Sequence, residues 1–281
     1  HGGVDWFGVP WKYESSVDAI APDHSVEPIM EDICDWRELV KFPDLDAWDW
    51  SKVEEIDHIS EIDRENKVFE IMFVNGPFER LHMLMGFENA LCALLTDPEE
   101  VEEFFNTYME WKLMEKVIEY YKPDVLMFHD DWGTQNNMFF SPDVWRSLIK
   151  PQIKKAVDRC HELGVLFDMH SCGKIEAVVP EFVELGIDAW QGMEINDIPK
   201  LKSITGMNLG YHTTPDYQGY QTEALAGTLT EEDLRRRVRE VFEKTAEGYC
   251  YCPMFLPFGG WSTEVMIDEI MKCGKTIYKD A

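Results

Sequence analysis

The chain of 281 residues carries 54 acidic and 26 basic residues, so its formal net charge is −28. Hydrophobic residues make up 45% and aromatic residues 13%, which is typical of a globular protein with a sizeable core. A surface this negative repels phosphate backbones and anionic lipid headgroups, so nucleic acid and membranes are excluded as expected partners.

The seven cysteines are odd in number and lack the compact spacing of a disulfide framework. This usage suits a reducing compartment, so we expect a cytoplasmic protein. No apolar run approaches the roughly 18 residues that indicate a transmembrane helix.

Residues 1–65 are rich in tryptophan and acidic residues and show little helical periodicity. Gly8 and Pro10 interrupt the apolar run 4–11, which predicts a strand or hairpin there and not a buried barrel strand. A short helix is predicted within 28–39. We therefore expect residues 1–65 to form an irregular N-terminal lobe packed on a catalytic domain of residues 66–281.

Strands and helices alternate from residue 68 onwards. The predicted strands cover residues 68–74, 124–128, 165–169, 187–190, 207–211 and 251–256. The predicted helices cover residues 78–96, 99–120, 142–163, 175–185, 198–204, 230–247 and 262–278. This alternation predicts an α/β fold with a parallel sheet and helices outside it. It fits a doubly wound sheet or a (β/α)8 TIM barrel whose first strands are absent or unreadable. No Gly-rich dinucleotide fingerprint follows any strand, which disfavours the doubly wound alternative.

The active site of a β/α barrel lies at the carboxyl ends of its strands. Polar residues that follow the predicted strands include His129, Asp130, Asp131, His170, Cys172, Gln191, Glu194 and His212. Solvated loops are polar in any case, so the coincidence of several such residues at one face is the informative feature.

His170 and Cys172 form the sharpest of these patterns. An imidazole and a thiolate two residues apart can face one ion, and zinc accepts nitrogen and sulfur ligands. A buried histidine beside an inert cysteine gives the same spacing, so both interpretations stay open.

Asp130 and Asp131 form the second pattern. One carboxylate can face a pocket as a proton donor or acceptor while its neighbour caps a turn. An ordinary loop with turn-forming aspartates explains the doublet equally well. His212 is a candidate metal ligand, general base or structural hydrogen bonder.

The segment Asp130-Asp131-Trp132-Gly133-Thr134-Gln135, together with His170-Ser171-Cys172-Gly173-Lys174, resembles the uroporphyrinogen decarboxylase superfamily. The resemblance runs from about residue 68 to the end of the chain and implies a TIM barrel. The superfamily contains decarboxylases and cobamide-dependent methyltransferases. Decarboxylases of the superfamily carry an Arg-rich substrate segment that is not recognisable here, and a polycarboxylate substrate does not suit a charge of −28.

The His-x-Cys pair is similar to the methyltransferase branch, in which His, Cys and a later Cys hold zinc. The resemblance implies a methyltransferase that moves a methyl group between a small methoxy, methylamine, thiol or folate compound and a corrinoid carried by a partner protein. A porphyrinogen carboxy-lyase is the alternative, as is a zinc-free methyl-corrinoid:tetrahydrofolate methyltransferase. A related O-demethylase type uses Glu, Glu and His, and Glu176, Gln191 and His212 reproduce that spacing with one Gln.

Together these interpretations assign three sets of residues. The predicted catalytic residues are Asp130, Asp131, His170 and Glu194. The predicted substrate-binding residues are Trp132, Gln135, Asn136, Gln191 and His212. The predicted metal ligands are His170, Cys172, His212 and Cys252.

Overall fold

The computed structural model describes residues 2–14, 19–23, 25–213, 217–246, 251–253 and 260–278. These residues divide into two compact units. The first unit comprises His1–Trp132 and Phe139–Phe167, and the second comprises Gly133–Met138 and Asp168–Ala281.

The first unit begins with a three-stranded antiparallel sheet of β1 (Gly3–Val4), β2 (Pro10–Glu14) and β3 (Ala19–Pro22). Asp5 closes the turn between β1 and β2, because its carboxylate accepts hydrogen bonds from Phe7 N and Val9 N at 2.9 Å each. The predicted hairpin within residues 4–11 is therefore present. The helices α1 (Trp36–Leu39) and α2 (Val53–Asp57) follow. A boundary of the lobe at residue 65 stays a prediction.

Two parallel strands form the centre of the first unit. β4 (Glu70–Phe73) pairs with β5 (Val125–His129), with Glu70 beside Val125 and Phe73 beside Phe128. The next strand, β6 (Leu166–His170), starts in this unit, where Leu166 N donates to Asp124 O at 3.0 Å. The helices of the unit are α3 (Pro77–Met85), α4 (Phe87–Thr96), α5 (Pro98–Met109), α6 (Leu113–Tyr121), α7 (Pro142–Val144) and α8 (Lys150–Glu162).

Left-handed backbone breaks the two helices that the sequence predicts between β4 and β5. Gly86 has φ 82° between α3 and α4, and Lys112 has φ 66° immediately before α6. The helical segments predicted over 78–96 and 99–120 are therefore present, each as two helices. A lysine rarely adopts positive φ, so Lys112 gives no local signal of a break.

A cavity of about 580 Å³ in the first unit lies beside β4. Residues 71–74 all line it, although consecutive residues of a strand face opposite sides. The cavity therefore lies along an edge of the strand, and β5 occupies the other edge. Among the residues that the structure describes, no strand pairs with this outer edge. A closed barrel has no such edge, so a further barrel strand would pair here.

The second unit continues the parallel order from the end of β6 through β7 (Ala189–Gln191), β8 (Gly210–Thr213) and β9 (Tyr251–Pro253). Its helices are α9 (Phe182–Leu185), α10 (Ile198–Thr205), α11 (Tyr217–Leu225), α12 (Glu231–Thr245) and α13 (Trp261–Ile277). The helix predicted over 175–185 is reduced to a 3-10 turn, Val179–Glu181, and α9. The helix α11 was not predicted, because its sequence has no apolar periodicity.

Several strands end one or two residues later than the sequence predicts. β5, β6 and β7 end at His129, His170 and Gln191, and His212 lies inside β8. These residues therefore belong to the strands, so strand register determines the direction of their side chains.

Within the described ranges, no helix is both long enough and apolar enough to cross a bilayer.

Candidate functional site

One row of side chains runs across the parallel strands of the second unit. His170 lies beside Gln191, Trp190 lies beside Tyr211, and His212 lies beside Cys252. The pairing of Trp190 with Tyr211 places Gln191 level with His212. Residues paired across neighbouring strands face the same side of a sheet, so His170, Gln191 and His212 point to one face.

Gln191 orients the His170 ring. Nδ1 of His170 lies 2.5 Å from Oε1 of Gln191, and Nε2 lies 3.3 Å from Sγ of Cys172. An amide oxygen only accepts, so Nδ1 donates the hydrogen bond, and in the neutral form of the ring Nε2 would carry the lone pair. A nitrogen lone pair and a sulfur atom therefore meet at the end of β6.

Asn196 holds the loop that carries Cys172. This side chain is 3% exposed. Its Oδ1 accepts from Ile175 N at 2.9 Å, and its Nδ2 donates to the carbonyl oxygens of Gly173 and Met193 at 3.0 Å each. One buried amide thereby satisfies three backbone groups of two loops, which limits the movement of Cys172.

Gly173 allows this loop to approach its neighbour closely. Its φ is 91°, and a Cβ atom there would overlap the backbone of Gly133. Lys174 N donates to Thr134 O at 2.8 Å, which joins the same two loops. The glycine that follows Cys172 is thus required both by its backbone conformation and by the absence of space.

Asp168 lies in the middle of β6 and was missed by sequence reasoning. It is 2% exposed, and its Oδ2 lies 2.9 Å from Nδ1 of His212. The available signal was a single carboxylate between the apolar residues Phe167 and Met169. Buried carboxylates need a partner, so an acid in an apolar strand indicates a polar contact elsewhere in the fold.

His170 and Cys172 supply two ligand atoms at a separation that one zinc ion could bridge. Zinc holds nitrogen at about 2.0 Å and sulfur at about 2.3 Å in tetrahedral geometry, which places two such ligand atoms about 3.5 Å apart. The separation of 3.3 Å between Nε2 and Sγ is close to that value. Cys252 is in β9, but its side chain lies outside the described residues.

Glu176, the first member of the alternative Glu, Gln and His set, is engaged on its loop. Its Oε1 accepts from Asp197 N at 3.0 Å. The ammonium groups of Lys174 and Lys200 lie 3.6 Å and 3.8 Å from its carboxylate oxygens. These contacts hold the carboxylate on the loop and give it a structural task.

Asp130 caps a helix in the first unit. It is fully buried and accepts from Glu79 N and Trp132 Nε1 at 2.8 Å each, and from Phe78 N at 3.4 Å. It therefore supplies the acceptor for the first turn of α3. Burial raises the pKa of Asp130 well above its usual range, and the charge of Glu79 adds to the rise against these hydrogen bonds. The catalytic role of Asp130 stays a prediction.

His129 and Glu79 form an ion pair in the first unit. The sequence did not indicate this contact. Nδ1 of His129 lies 3.0 Å from Oε2 of Glu79. Burial opposes protonation of the ring, but the hydrogen bond and charge of Glu79, with Asp131 and Asp130, outweigh it and raise the pKa of His129 to about 9. His129 is therefore a cation at neutral pH.

The remaining predicted residues occupy varied positions. Trp132 is fully buried, and its ring packs edge-on against Trp145 at 5.6 Å. Asp131 is half-buried, whereas the loop residues Gln135, Asn136 and Glu194 are exposed. Their predicted roles in catalysis and substrate binding stay predictions.

A family model described as uroporphyrinogen decarboxylase (URO-D) matches residues 19–252 of the chain. The domain that this model describes is a TIM barrel, which confirms the predicted fold class. No curated protein matches the chain.

Replacing Gly173 with alanine tests the close approach of the two loops. Gly164 is a matched control, because its φ is 76° and nothing lies near its missing Cβ. Positive φ alone costs about 1–2 kcal/mol in an alanine. We expect Gly173→Ala to lose about 1–3 kcal/mol more free energy of unfolding than Gly164→Ala, because it also overlaps backbone. Equal losses in denaturant titrations would contradict this account.

The ion pair of His129 and Glu79 predicts a loss of stability in alkaline solution. The pKa of His129 is raised from 6.5 to about 9, so its stabilising effect is complete below pH 6.5 and is lost as the pH rises through about 9. The effect is at most about 3 kcal/mol. Denaturant titrations from pH 6 to about pH 10 should show this extra loss in the wild type and not in His129→Gln.

The exposed His161 on α8 provides the control for this series. We expect His161→Gln to follow the wild-type pH dependence. If His129→Gln also followed it, the pair would contribute nothing measurable.

Proposed function

Because the chain belongs to the uroporphyrinogen decarboxylase family, we propose that it is a zinc-assisted methyltransferase that moves a methyl group between a small molecule and a corrinoid on a partner protein. The family is enzymatic and includes both decarboxylases and corrinoid methyltransferases. The small molecule would be of the methoxy, methylamine, thiol or folate type.

The observation that carries this proposal is the contact of His170 Nε2 with Cys172 Sγ at the end of β6. A paired nitrogen and sulfur ligand suits zinc and has no obvious use in removing a carboxylate. Bound there, zinc would act as a Lewis acid toward an oxygen of the methyl donor or favour the anionic form of an accepting thiol.

The protein's own residues prepare these two ligand atoms. Oε1 of Gln191 accepts a hydrogen bond from Nδ1 of His170, which leaves Nε2 as the nitrogen that could bind a metal ion. Asn196 and Gly173 hold the loop at a position where the Cys172 sulfur reaches Nε2. Cys172 must lose its proton to act as a ligand, so metal binding would be weaker in acid.

The charges of the chain disfavour a porphyrinogen substrate. Such a substrate carries many carboxylates and needs accessible cations. Arg80 is only 4% exposed and is paired with Asp5 at 2.6 Å. The His129 cation is likewise paired with Glu79. Both cations are thus already neutralised by carboxylates of the protein.

Substitution of Cys172 tests the proposal. We expect purified wild-type protein to bind about one zinc per chain and to transfer methyl groups from at least one donor of the stated classes to cob(I)alamin. Cys172→Ser should lower zinc affinity by at least about 10-fold and lower methyl transfer with it. Cys92→Ser is the control, because Cys92 is exposed on α4 and should leave both properties unchanged.

Two other results would replace the proposal. Conversion of uroporphyrinogen to coproporphyrinogen would identify a decarboxylase. Methyl transfer between a corrinoid and tetrahydrofolate by a metal-free protein would identify the zinc-independent branch.

A further inference from the structure

A second cavity of the first unit is lined by residues of the segment that follows β3 and of the junction between α3 and α4. Its volume is about 490 Å³, which lies within the range of about 300–1,000 Å³ that is typical of small-molecule sites. None of the residues assigned above to zinc binding or methyl transfer lines this cavity.

The walls of the cavity are mostly apolar. Val9 and Met85 are buried, Met83 is half-buried, and Val26 is 50% exposed, so solvent reaches an apolar lining here. Methionine side chains are flexible and polarisable, and they adapt to ligands of different shape. The lining therefore favours a ligand with an apolar part.

An aromatic ring at the cavity is held in place by its neighbours. Phe87 lines the cavity and packs edge-on against Phe139 at 4.9 Å and against Phe78 at 6.2 Å. His82 also lines the cavity, with its ring 5.5 Å from that of Phe87. The face of an aromatic ring attracts cations, so Phe87 is compatible with a positively charged ligand.

The aspartate and glutamate side chains at this cavity are not balanced by a lysine or arginine in its described lining. They are Asp23, Glu27 and Glu88. Asp23 is paired with Lys12 at 2.8 Å, and hydrogen bonds from Lys12 and Ser25 lower the pKa of Asp23 to about 2. Glu27 and Glu88 have no ion pair or hydrogen bond among the described residues. A cation in the cavity would therefore meet two carboxylates that no other cation neutralises.

The ends of the two helices do not reverse this sign. α3 ends at Met85 and α4 begins at Phe87, so the carboxyl end of one helix meets the amino end of the other at Gly86. The partial charges of the two ends are opposite and largely cancel. The carboxylates therefore determine the sign of the potential.

We propose that this cavity binds an organic cation, whose apolar part lies against Val9, Met83 and Met85 and whose charge lies beside Glu27 and Glu88. Such binding needs neither zinc nor methyl transfer, so it is independent of the proposed function. It also requires more than the net charge of −28, because that charge attracts every cation and selects no position.

Three probes that share a benzyl group test the proposal: benzyltrimethylammonium, benzyl alcohol and phenylacetate. Titration of protein with ¹³C-labelled methionine methyl groups reports both affinity and location, and Met83→Leu and Met85→Leu identify the two signals. We expect benzyltrimethylammonium to shift both signals saturably, with a Kd of about 1 mM or lower. The neutral alcohol should bind at least about 5-fold more weakly, and the anionic phenylacetate more weakly still.

The chain offers a variant matched in charge. We expect replacement of Glu27 and Glu88 together by glutamine to weaken benzyltrimethylammonium binding about 5- to 10-fold and to leave benzyl alcohol binding unchanged. The unchanged alcohol would show that the apolar lining is intact. The control replaces Glu102 and Glu110 by glutamine, because both are exposed and neither lines the cavity. This control alters the net charge equally and should keep the wild-type affinity for the cation.

Three results would overturn the proposal. The first is the absence of a saturable shift of the Met83 and Met85 signals. The second is equal affinity for the ammonium and the alcohol, which would leave an apolar cavity without charge selection. The third is an equal loss of cation affinity in the two double variants, which would reduce the effect to general attraction by an acidic protein.

Discussion

The parallel register of β6, β7 and β8 is the constraint on which the rest of the candidate site depends. Because side chains of a strand alternate between two faces, a shift of one residue in any strand would turn its histidine or glutamine away from the others. The observed register places His170 beside Gln191 and leaves His212 one strand further along. Asp168 comes two residues before His170, hence on the same face, where it reaches His212. The hydrogen bonds of the site are therefore consequences of backbone pairing.

The loop after β6 adds the sulfur ligand to this framework in a way that backbone pairing cannot. Cys172 lies beyond the strand, so register does not determine its position. Asn196 and Gly173 take over that task, the first by three hydrogen bonds and the second by an approach that only glycine permits. The sequence His170-Ser171-Cys172-Gly173 thus combines a residue placed by a strand, a residue placed by a loop, and the glycine that allows the loop to pack. Because the strand, the loop and the glycine each constrain one residue of the motif, a motif of only four residues can resemble one family specifically.

The sequence was sufficient for the order of the strands along the chain and for the spacing of His170 and Cys172, because these depend on local periodicity and short distances, whereas the barrel class was implied by the family resemblance. It was insufficient for Asp168 and Glu79, whose significance comes from partners 44 and 50 residues away. Asp130 shows the opposite difficulty. A carboxylate after a strand suggests catalysis, yet its hydrogen bonds satisfy the first turn of α3 and the indole of Trp132. The expectation that active-site residues follow the strands finds the polar residues. Only the folded structure shows which of them form hydrogen bonds with the backbone.

The strand-end residues of the first unit and those of the second unit differ in charge. This difference bears on which of them could bind a metal ion. In the first unit His129 is protonated by its carboxylate neighbours, and a protonated imidazole has no lone pair to offer. In the second unit a neutral amide orients His170, and Gln191 therefore sets the tautomer without adding charge. Zinc binds a histidine through a nitrogen lone pair and a cysteine as its thiolate. In the second unit Nε2 of His170 and Sγ of Cys172 lie 3.3 Å apart, so one position there offers both types of ligand atom.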